Sequence, residues 1–357
     1  MDHSKQIISA VGLMSGSSLD GIDLAAADFW QENGHWFYSI NKTAFYPYAD
    51  NWQQKLQQAF YLKPNELAAL DLEYGRHLGE LCLDFVQKNQ LKPALVASHG
   101  HTIFHQPENG ITLQIGNGQA IADACKYFVI NDFRSEDVSK GGQGAPLVPI
   151  GDRLLFADYE MCLNIGGIAN ISFEDKGNRL AFDCCIANQG LNFIAGFAGL
   201  SFDDGGKLAA SGRINSKLYE MLNAEKYFKK SAPKSLGREF FENHQRELLL
   251  QWQHNPADAA CTYATHIAFQ IAQSVAHLPK GKMLVTGGGA FHKFLIDKLK
   301  QFSKHQIEVG PEQLINYKEA LIFAFLGVLK QQGKTNILAA YTGASSDSSS
   351  GVCWYPK

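Results

Sequence analysis

The sequence predicts an α/β protein made of two related domains, and three observations carry that expectation. The chain has 357 residues, more than one hydrophobic core ordinarily serves. It opens with three strand-like segments and then alternates helical and strand patterns. After residue 150 the same order of elements begins again.

In the first half, residues 6–14 are an apolar run of strand character, SGSSLDG turns, and IDLAAADFW (22–30) resumes as a second strand. The QENG turn (31–34) leads to HWFYSINKTAF (35–45), whose aromatic and β-branched residues suit a third strand. Asn65 stands where a helix N-cap belongs, ahead of Leu67, Leu70, Tyr74, Leu78, Leu81 and Phe85 at helical spacing. ALVAS (94–98) and KYFVIND (126–132) read as short buried strands.

The second half repeats this grammar. MCLNI (161–165), a Gly-Gly turn, ANISF (169–173), a DKGN turn and RLAFD (179–183) make another three-strand meander. Ile267, Ile271, Val275 and Leu278 keep a helical period before the strand MLVT (283–286) and its triple-glycine turn. EALIFAFLGVL (319–329) reads as a buried helix, and ASSDSSSG (344–351) as a polar loop. No sequence repeat is visible, but the duplicated order suggests two domains facing each other across a cleft. The expected division is 1–132 with about 340–357 for the first domain and 133–339 for the second.

Composition narrows the function. Apolar residues make up 45% of the chain and charged residues 19%, the balance of a soluble globular protein. A net charge of -3 gives no broad attraction to nucleic acid or anionic membrane, so neither is an expected partner. Seven cysteines without a CxxC pair read as reduced thiols in a cytoplasmic protein. The run after Lys5 loosely imitates a signal peptide, yet Ser9 and Gly12 interrupt it, and a first buried strand explains it better. No apolar stretch reaches membrane-spanning length.

Phosphate groups need several backbone N–H donors converging on one place, and glycine permits that approach. GLMSGSSLDGID (12–23), NIGGIAN (164–170) and TGGGAFH (286–292) offer it. No GxxxxGK[ST] loop occurs, and GNG at 116–118 lacks the rest of a dinucleotide fingerprint. One such turn alone is most simply a tight hairpin. Three together, two of them at the first turn of a meander, favour a phosphate clamp.

GLMSGSSLDGID, ASHGHTIFH (97–105), LQIGNGQAIA (113–122), INDFRSEDVSKGGQGAPLVP (130–149), LNIGGIANIS (163–172), KSLGREFF (234–241) and LVTGGGA (284–290) resemble the anhydro-N-acetylmuramic acid kinase family. The likeness runs in order from about Val11 to Ala344. It implies an actin-like ATPase and sugar-kinase fold: two ribonuclease H-like domains around a central ATP and substrate cleft. Members open the 1,6-anhydro ring of their sugar with water and phosphorylate O6 from ATP with Mg²⁺. The product, N-acetylmuramic acid 6-phosphate, belongs to peptidoglycan recycling. A homodimer is a further expectation by resemblance.

The resemblance also implies roles. Gly16, Ser17, Ser18, Leu19, Asp20, Gly21, Ile22 and Asp23 would form the first phosphate loop, with Asp20 on Mg²⁺ through water. Asn164, Gly166 and Gly167 would form the second, and Gly287, Gly288 and Gly289 would lie against the adenosine. Asp183 in FDCCIAN matches the base of the family's FDTGPGN motif; its plainer reading is a helix cap. Asp132, Arg134, Gln143, His99, His101 and Asn188 would line the sugar pocket, Arg134 by forking onto a carboxylate. The plainer reading of Arg134 is an ion pair with Glu136 or Asp137. His99, His101 and His105 lack the carboxylate or thiolate company of a metal site.

Several positions depart from the family. Cys185 and Ala187 stand for glycines, which would be strained if that turn needs positive φ. Asn192 stands for an aspartate, Asp152 for the histidine after GAPLVP, and His101 for a glutamine, while DxDG keeps Asp203. Alternatives are therefore a kinase for another amino sugar, or a nucleotide-binding relative that has lost catalysis. The retained Asp183 speaks against the latter.

Overall fold

The apolar run that opens the chain becomes β1 (Ile8–Ser15), a strand with neighbours on both sides. The structure, a computed structural model, describes residues 6–16, 19–231 and 234–357. β2 (Gly21–Glu32) and β3 (His35–Pro47) complete an antiparallel meander with β1. Asn33 and Gly34 close the β2–β3 hairpin at φ of 51° and 83°, the handedness that two-residue hairpins favour. β4 (Leu95–Ser98) lies parallel on the other side of β1, and β5 (His101–Gln106) and β6 (Ile111–Ile115) form a separate hairpin. β7 (Val129–Asn131) runs parallel to β4.

A second meander follows from β8 (Met161–Ile165), β9 (Ile168–Asp175) and β10 (Asn178–Ile186). β11 (Lys282–Thr286) and β12 (Gln306–Val309) extend it in parallel, giving the order β10-β9-β8-β11-β12. The last strand, β13 (Val352–Trp354), returns to the first sheet, whose order is β13-β7-β4-β1-β2-β3. Both sheets thus place an antiparallel meander beside parallel strands in the ribonuclease H-like order.

Helices bury each sheet. Pro64–Lys88 turns Leu67, Leu70, Tyr74, Leu78 and Phe85 into the first core with Val11, Leu13 and Leu24. It starts one residue before Asn65. Lys63 is the cap, Pro64 takes the first helical position where a missing N–H costs nothing, and the Glu66 carboxylate accepts the Lys63 N–H at 2.9 Å. Pro256–Ser274 is buried along most of its length in the second core, with Leu163, Ile171, Ile186 and Val285; Val275 and Leu278 continue that core beyond the helix end.

Two compact units result: Met1–Leu155 with Tyr317–Lys357, and Phe156–Asn316. The divisions expected near 132 and 339 move to these positions for a packing reason. The carboxylate of Asp137 accepts the Gly144 N–H at 2.8 Å and the Thr342 hydroxyl at 2.7 Å, tying 133–155 to the C-terminal segment. Asp152 forms a buried ion pair with Lys318 at 3.1 Å. The helix Glu312–Gln331 departs from helical geometry at Tyr317 (φ -121°, ψ 15°), and beyond that point Ala320 and Ala324 lie against Gly12 of β1. A Cβ on Gly12 would stand 1.8 Å from the Ala320 carbonyl oxygen, which explains a glycine inside a central strand. All seven cysteines are free, six of them buried. Among the described residues no helix is long and apolar enough to cross a membrane.

Candidate active site

In the first unit, the turn between β1 and β2 carries part of the expected phosphate loop; Ser17 and Ser18 lie outside the described residues. Gly16 accepts the Leu19 N–H at 3.5 Å, and Leu19 is left-handed at φ 58°. Asp20 is exposed, with one oxygen accepting the Gly21 N–H at 3.0 Å. Gly21 and Ile22 are already strand residues, and Ile22 is turned into the core opposite Ser15. Asp23 is half-buried on β2. Its carboxyl is pushed up to about 7, first by burial and then by the charges of Asp20 and Glu319.

Beside that turn lies an ordered polar chain. The Ser15 hydroxyl shares hydrogen bonds with Tyr48 at 2.6 Å and with Nδ1 of His101 at 2.9 Å, and Tyr48 reaches Tyr74 at 2.5 Å. Nδ1 of His99 lies 3.0 Å from the Gly100 carbonyl, which can only accept, so Nδ1 carries the proton. Nε2 is then free to accept Arg134, whose Nη2 stands at 2.9 Å and Nε at 3.3 Å. Burial and the neighbouring Arg134 hold His99 down to about 3, and burial holds His101 down to about 4. Both are neutral acceptors or donors near pH 7, not cations.

Arg134 also donates to the Gly144 carbonyl at 2.6 Å and feels the charge of Glu319. It makes no pair with Glu136, which binds Lys140 at 2.9 Å, or with Asp137, which holds the glycine loop. Arg134 is thus anchored beside His99. Asp132, left-handed at φ 54°, spends an oxygen on Ser135, accepting its N–H at 3.2 Å and its hydroxyl at 2.6 Å. Gln143 is exposed, and its N–H bonds the Thr342 carbonyl at 2.8 Å. Glu319, which the sequence reading passed over, is open to solvent yet densely surrounded by protein. That crowding raises its carboxyl, opposed by Lys318 and Arg134.

In the second unit, the two other glycine segments meet. The Gly166–Gly167 turn joins β8 to β9, and its carbonyls accept the N–H groups of Asn188 at 3.0 Å and of Ala187 at 2.8 Å. This docks the start of the helix Asn188–Phe197 on the turn, and the Asn188 amide donates to the Ile165 carbonyl at 3.2 Å. β11 runs beside β8 with Thr286 opposite Asn164, so both strands end at one place. Gly287, at φ 80°, lies so close that a Cβ there would stand 2.7 Å from Oδ1 of Asn164. A Cβ on Gly288 would come within 3.7 Å of the Asn188 amide nitrogen. Asn164, Gly166, Gly167, Asn188 and Gly287–Gly289 therefore form one constellation.

Asp183 lies on β10, four residues before Ala187. It is half-buried, and its Oδ2 accepts the Leu236 N–H at 2.8 Å. Burial raises its carboxyl, and that hydrogen bond partly offsets the rise. It caps no helix. The altered turn after it carries no strain of the feared kind: Cys185 is absent from the positive-φ residues and Ala187 sits at φ -124°. Cys184, Cys185, Ile186 and Ala187 all belong to the core. Burial pushes the Cys184 thiol up to about 12, so the vicinal pair is unreactive packing. Asp203 is structural as well, accepting the N–H groups of Leu208 at 2.7 Å and Ala209 at 2.9 Å.

A family model described as anhydro-N-acetylmuramic acid kinase matches residues 8–356. The anhydro-N-acetylmuramic acid kinase of Ruegeria sp. (strain TM1040) is 32% identical over 373 residues, covering 98% of this chain and 96% of that one. Those of Hydrogenovibrio crunogenus and Nitrosospira multiformis are each 33% identical, covering 97% and 94% of this chain and 98% and 95% of theirs.

Proposed function

The chain belongs to the anhydro-N-acetylmuramic acid kinase family, and from that premise we propose that it uses ATP to convert 1,6-anhydro-N-acetylmuramic acid into N-acetylmuramic acid 6-phosphate. One observation supports this most directly: a half-buried carboxylate, Asp183, held by a single backbone N–H on the strand that runs into the second unit's glycine constellation.

The chemistry asked of the chain has few parts. Asp183 takes a proton from a water that attacks the anomeric carbon. The bond from that carbon to O6 breaks, and O6 forms its new bond to the γ-phosphorus as ADP departs. The raised carboxyl fits a base, because a stronger proton acceptor gains more from the transfer. In the second unit, Asn164, Gly166, Gly167 and Gly287–Gly289 supply the close backbone approach that a nucleotide needs; Gly16, Leu19 and Asp20 belong to the phosphate loop that the resemblance implies in the first. Neutral His99 and His101 offer hydrogen bonds without charge, and Arg134 offers the fork for a sugar carboxylate. Asp132 and Gln143 complete the first unit's proposed sugar contacts, and Asn188 is the one proposed from the second.

Magnesium fits the carboxylates present. It prefers oxygen ligands and keeps several waters, and the crowding of Asp20, Asp23 and Glu319 leaves negative charge that a cation would relieve. Asp20 and Asp23 would hold it, and it would neutralise charge on the phosphoryl oxygens.

Incubating the protein with ATP, Mg²⁺ and either the anhydro sugar or its hydrolysed form tests the proposal. Transfer to the anhydro sugar with formation of the 6-phosphate is the expected result. Transfer to the hydrolysed sugar alone makes the chain an ordinary amino-sugar kinase, and ATP binding without transfer makes it a non-catalytic relative. Cys185 and Ala187 pack in the core outside positive φ, so strain in that turn does not favour either alternative.

A further inference from the structure

Resting on the assignment of Asp183 as base, we propose that Tyr227, Lys234 and the Leu236 N–H form a clamp that positions it, which gives the KSLGREFF segment its role. The contacts address one residue from three directions. The Leu236 N–H donates to the carboxylate at 2.8 Å, the Lys234 carbonyl accepts the Asp183 N–H at 3.3 Å, and the Tyr227 hydroxyl donates to the Asp183 carbonyl at 2.7 Å. Backbone and side chain of Asp183 are thus both fixed by a segment some 50 residues away in sequence.

The clamp is itself held by Lys234. Its ammonium lies 4.8 Å from the centre of the Tyr227 ring and 5.3 Å from that of Phe182, the residue just before Asp183. Tyr227 also meets Phe240, from the far end of the same segment, at 5.6 Å. The ring is buried, and a second ammonium, that of Lys230, stands 5.9 Å from its centre. A cavity of about 720 Å³, lined by Tyr227, Lys230, Leu236, Glu239 and Phe240 among others, opens beside it. The Lys234 cation and the hydroxyl bond hold the ring in addition to these contacts.

Among the described residues, few groups face Asp183. Tyr227 comes from the clamp, Cys184 and Cys185 from its own strand, uncharged Asn170 lies opposite on β9, and the Lys234 ammonium interacts with the two thiols. The Leu236 N–H is the contact that holds the carboxyl down against burial. Loosening the clamp withdraws that N–H, so the carboxyl must rise and the base must be lost at higher pH.

Tyr227→Phe keeps the ring and removes the hydroxyl; Lys234→Met keeps the stem and removes the cation; Lys234→Arg restores a cation over the rings. For the first two, kcat should fall roughly ten-fold with KM for ATP unchanged, and the acidic limb of kcat/KM should move to higher pH. Lys234→Arg should stay near the parent in both. The clamp is overturned if kcat and the acidic limb are unmoved. It is equally overturned if kcat falls with a rise in KM for ATP and a fixed limb, the pattern of general disruption. Titration of the Asp183 carboxyl by NMR in the folded variants reads the same shift where turnover is too slow to follow. Asp183→Asn, run alongside, separates the two ideas. Full turnover there removes the base assignment itself, whereas its loss beside unaffected Tyr227→Phe and Lys234→Met removes only the clamp.

Discussion

Asp183 and Asp23 are both carboxylates lifted by burial, and they call for different measurements. Asp183→Asn keeps size and can still accept the Leu236 N–H, but it cannot take a proton. Turnover should fall at least about a hundred-fold while ATP affinity stays within a factor of about two; steady-state assays with a nucleotide-binding titration check both. For Asp23, the folded value of about 7 lies above the ordinary 3.8, so the folded chain binds the proton more tightly than the unfolded one. Stability from this group is full below about pH 4 and is lost as pH rises through about 7. Asp23→Asn should therefore melt higher than the parent near pH 8, with the gap closing near pH 4. A gap independent of pH would place the effect elsewhere. Asp183 and the glycines could be named as candidates because their motifs are local. Glu319 and Asp137 were not, because what makes them notable is neighbours brought from distant segments. The one local hint was a carboxylate opening the apolar run at 319.

At the level of elements, β1 shows how a local pattern and a long-range contact combine. Its apolar run was readable as a strand, but the reason for Gly12 lay some 300 residues away, in the helix Glu312–Gln331. The Ala320 carbonyl occupies the space a methyl group would need, and both partners are backbone, so neither can rotate aside. Gly12→Ala should destabilise the protein by about 1–3 kcal/mol, the usual cost of overpacking a core. Chemical denaturation reads it as a lower midpoint with an unchanged slope; an unchanged midpoint would mean the helix shifts freely. Both meanders were legible because their turns carry strong signals: Asn33–Gly34 and Lys176–Gly177 are each left-handed at both residues. The β5–β6 hairpin, β12 and β13 were not singled out. They are short, and β13 is a strand only because β7 lies ready to pair with it.

For the molecule as a whole, the chain's course through its two units makes the C-terminus part of the first one. Phe156–Asn316 is continuous in sequence and carries its own core, whereas the first unit is assembled from both ends of the chain. Duplicated element order allowed the expectation of two domains, but it could not fix the divisions, since these depend on Asp137, Asp152 and Tyr317. β13 adds a sixth strand to the first sheet. The Trp354 indole N–H donates to the Asn131 side chain at 2.8 Å, and a Cβ on Gly118 would stand 2.1 Å from that indole nitrogen. Trp354 also packs on the first core. Deleting residues 352–357 uncovers one edge of β7 and removes this ring, while it touches nothing in the second core. Two units with separate cores need not melt together. Calorimetry of the truncated chain should show the transition of the first unit lowered by several degrees and that of the second unmoved. Hydrogen exchange should locate the loss of protection in β7 and the helix Gly118–Cys125. A uniform loss across both units would show instead that the chain unfolds as one cooperative body.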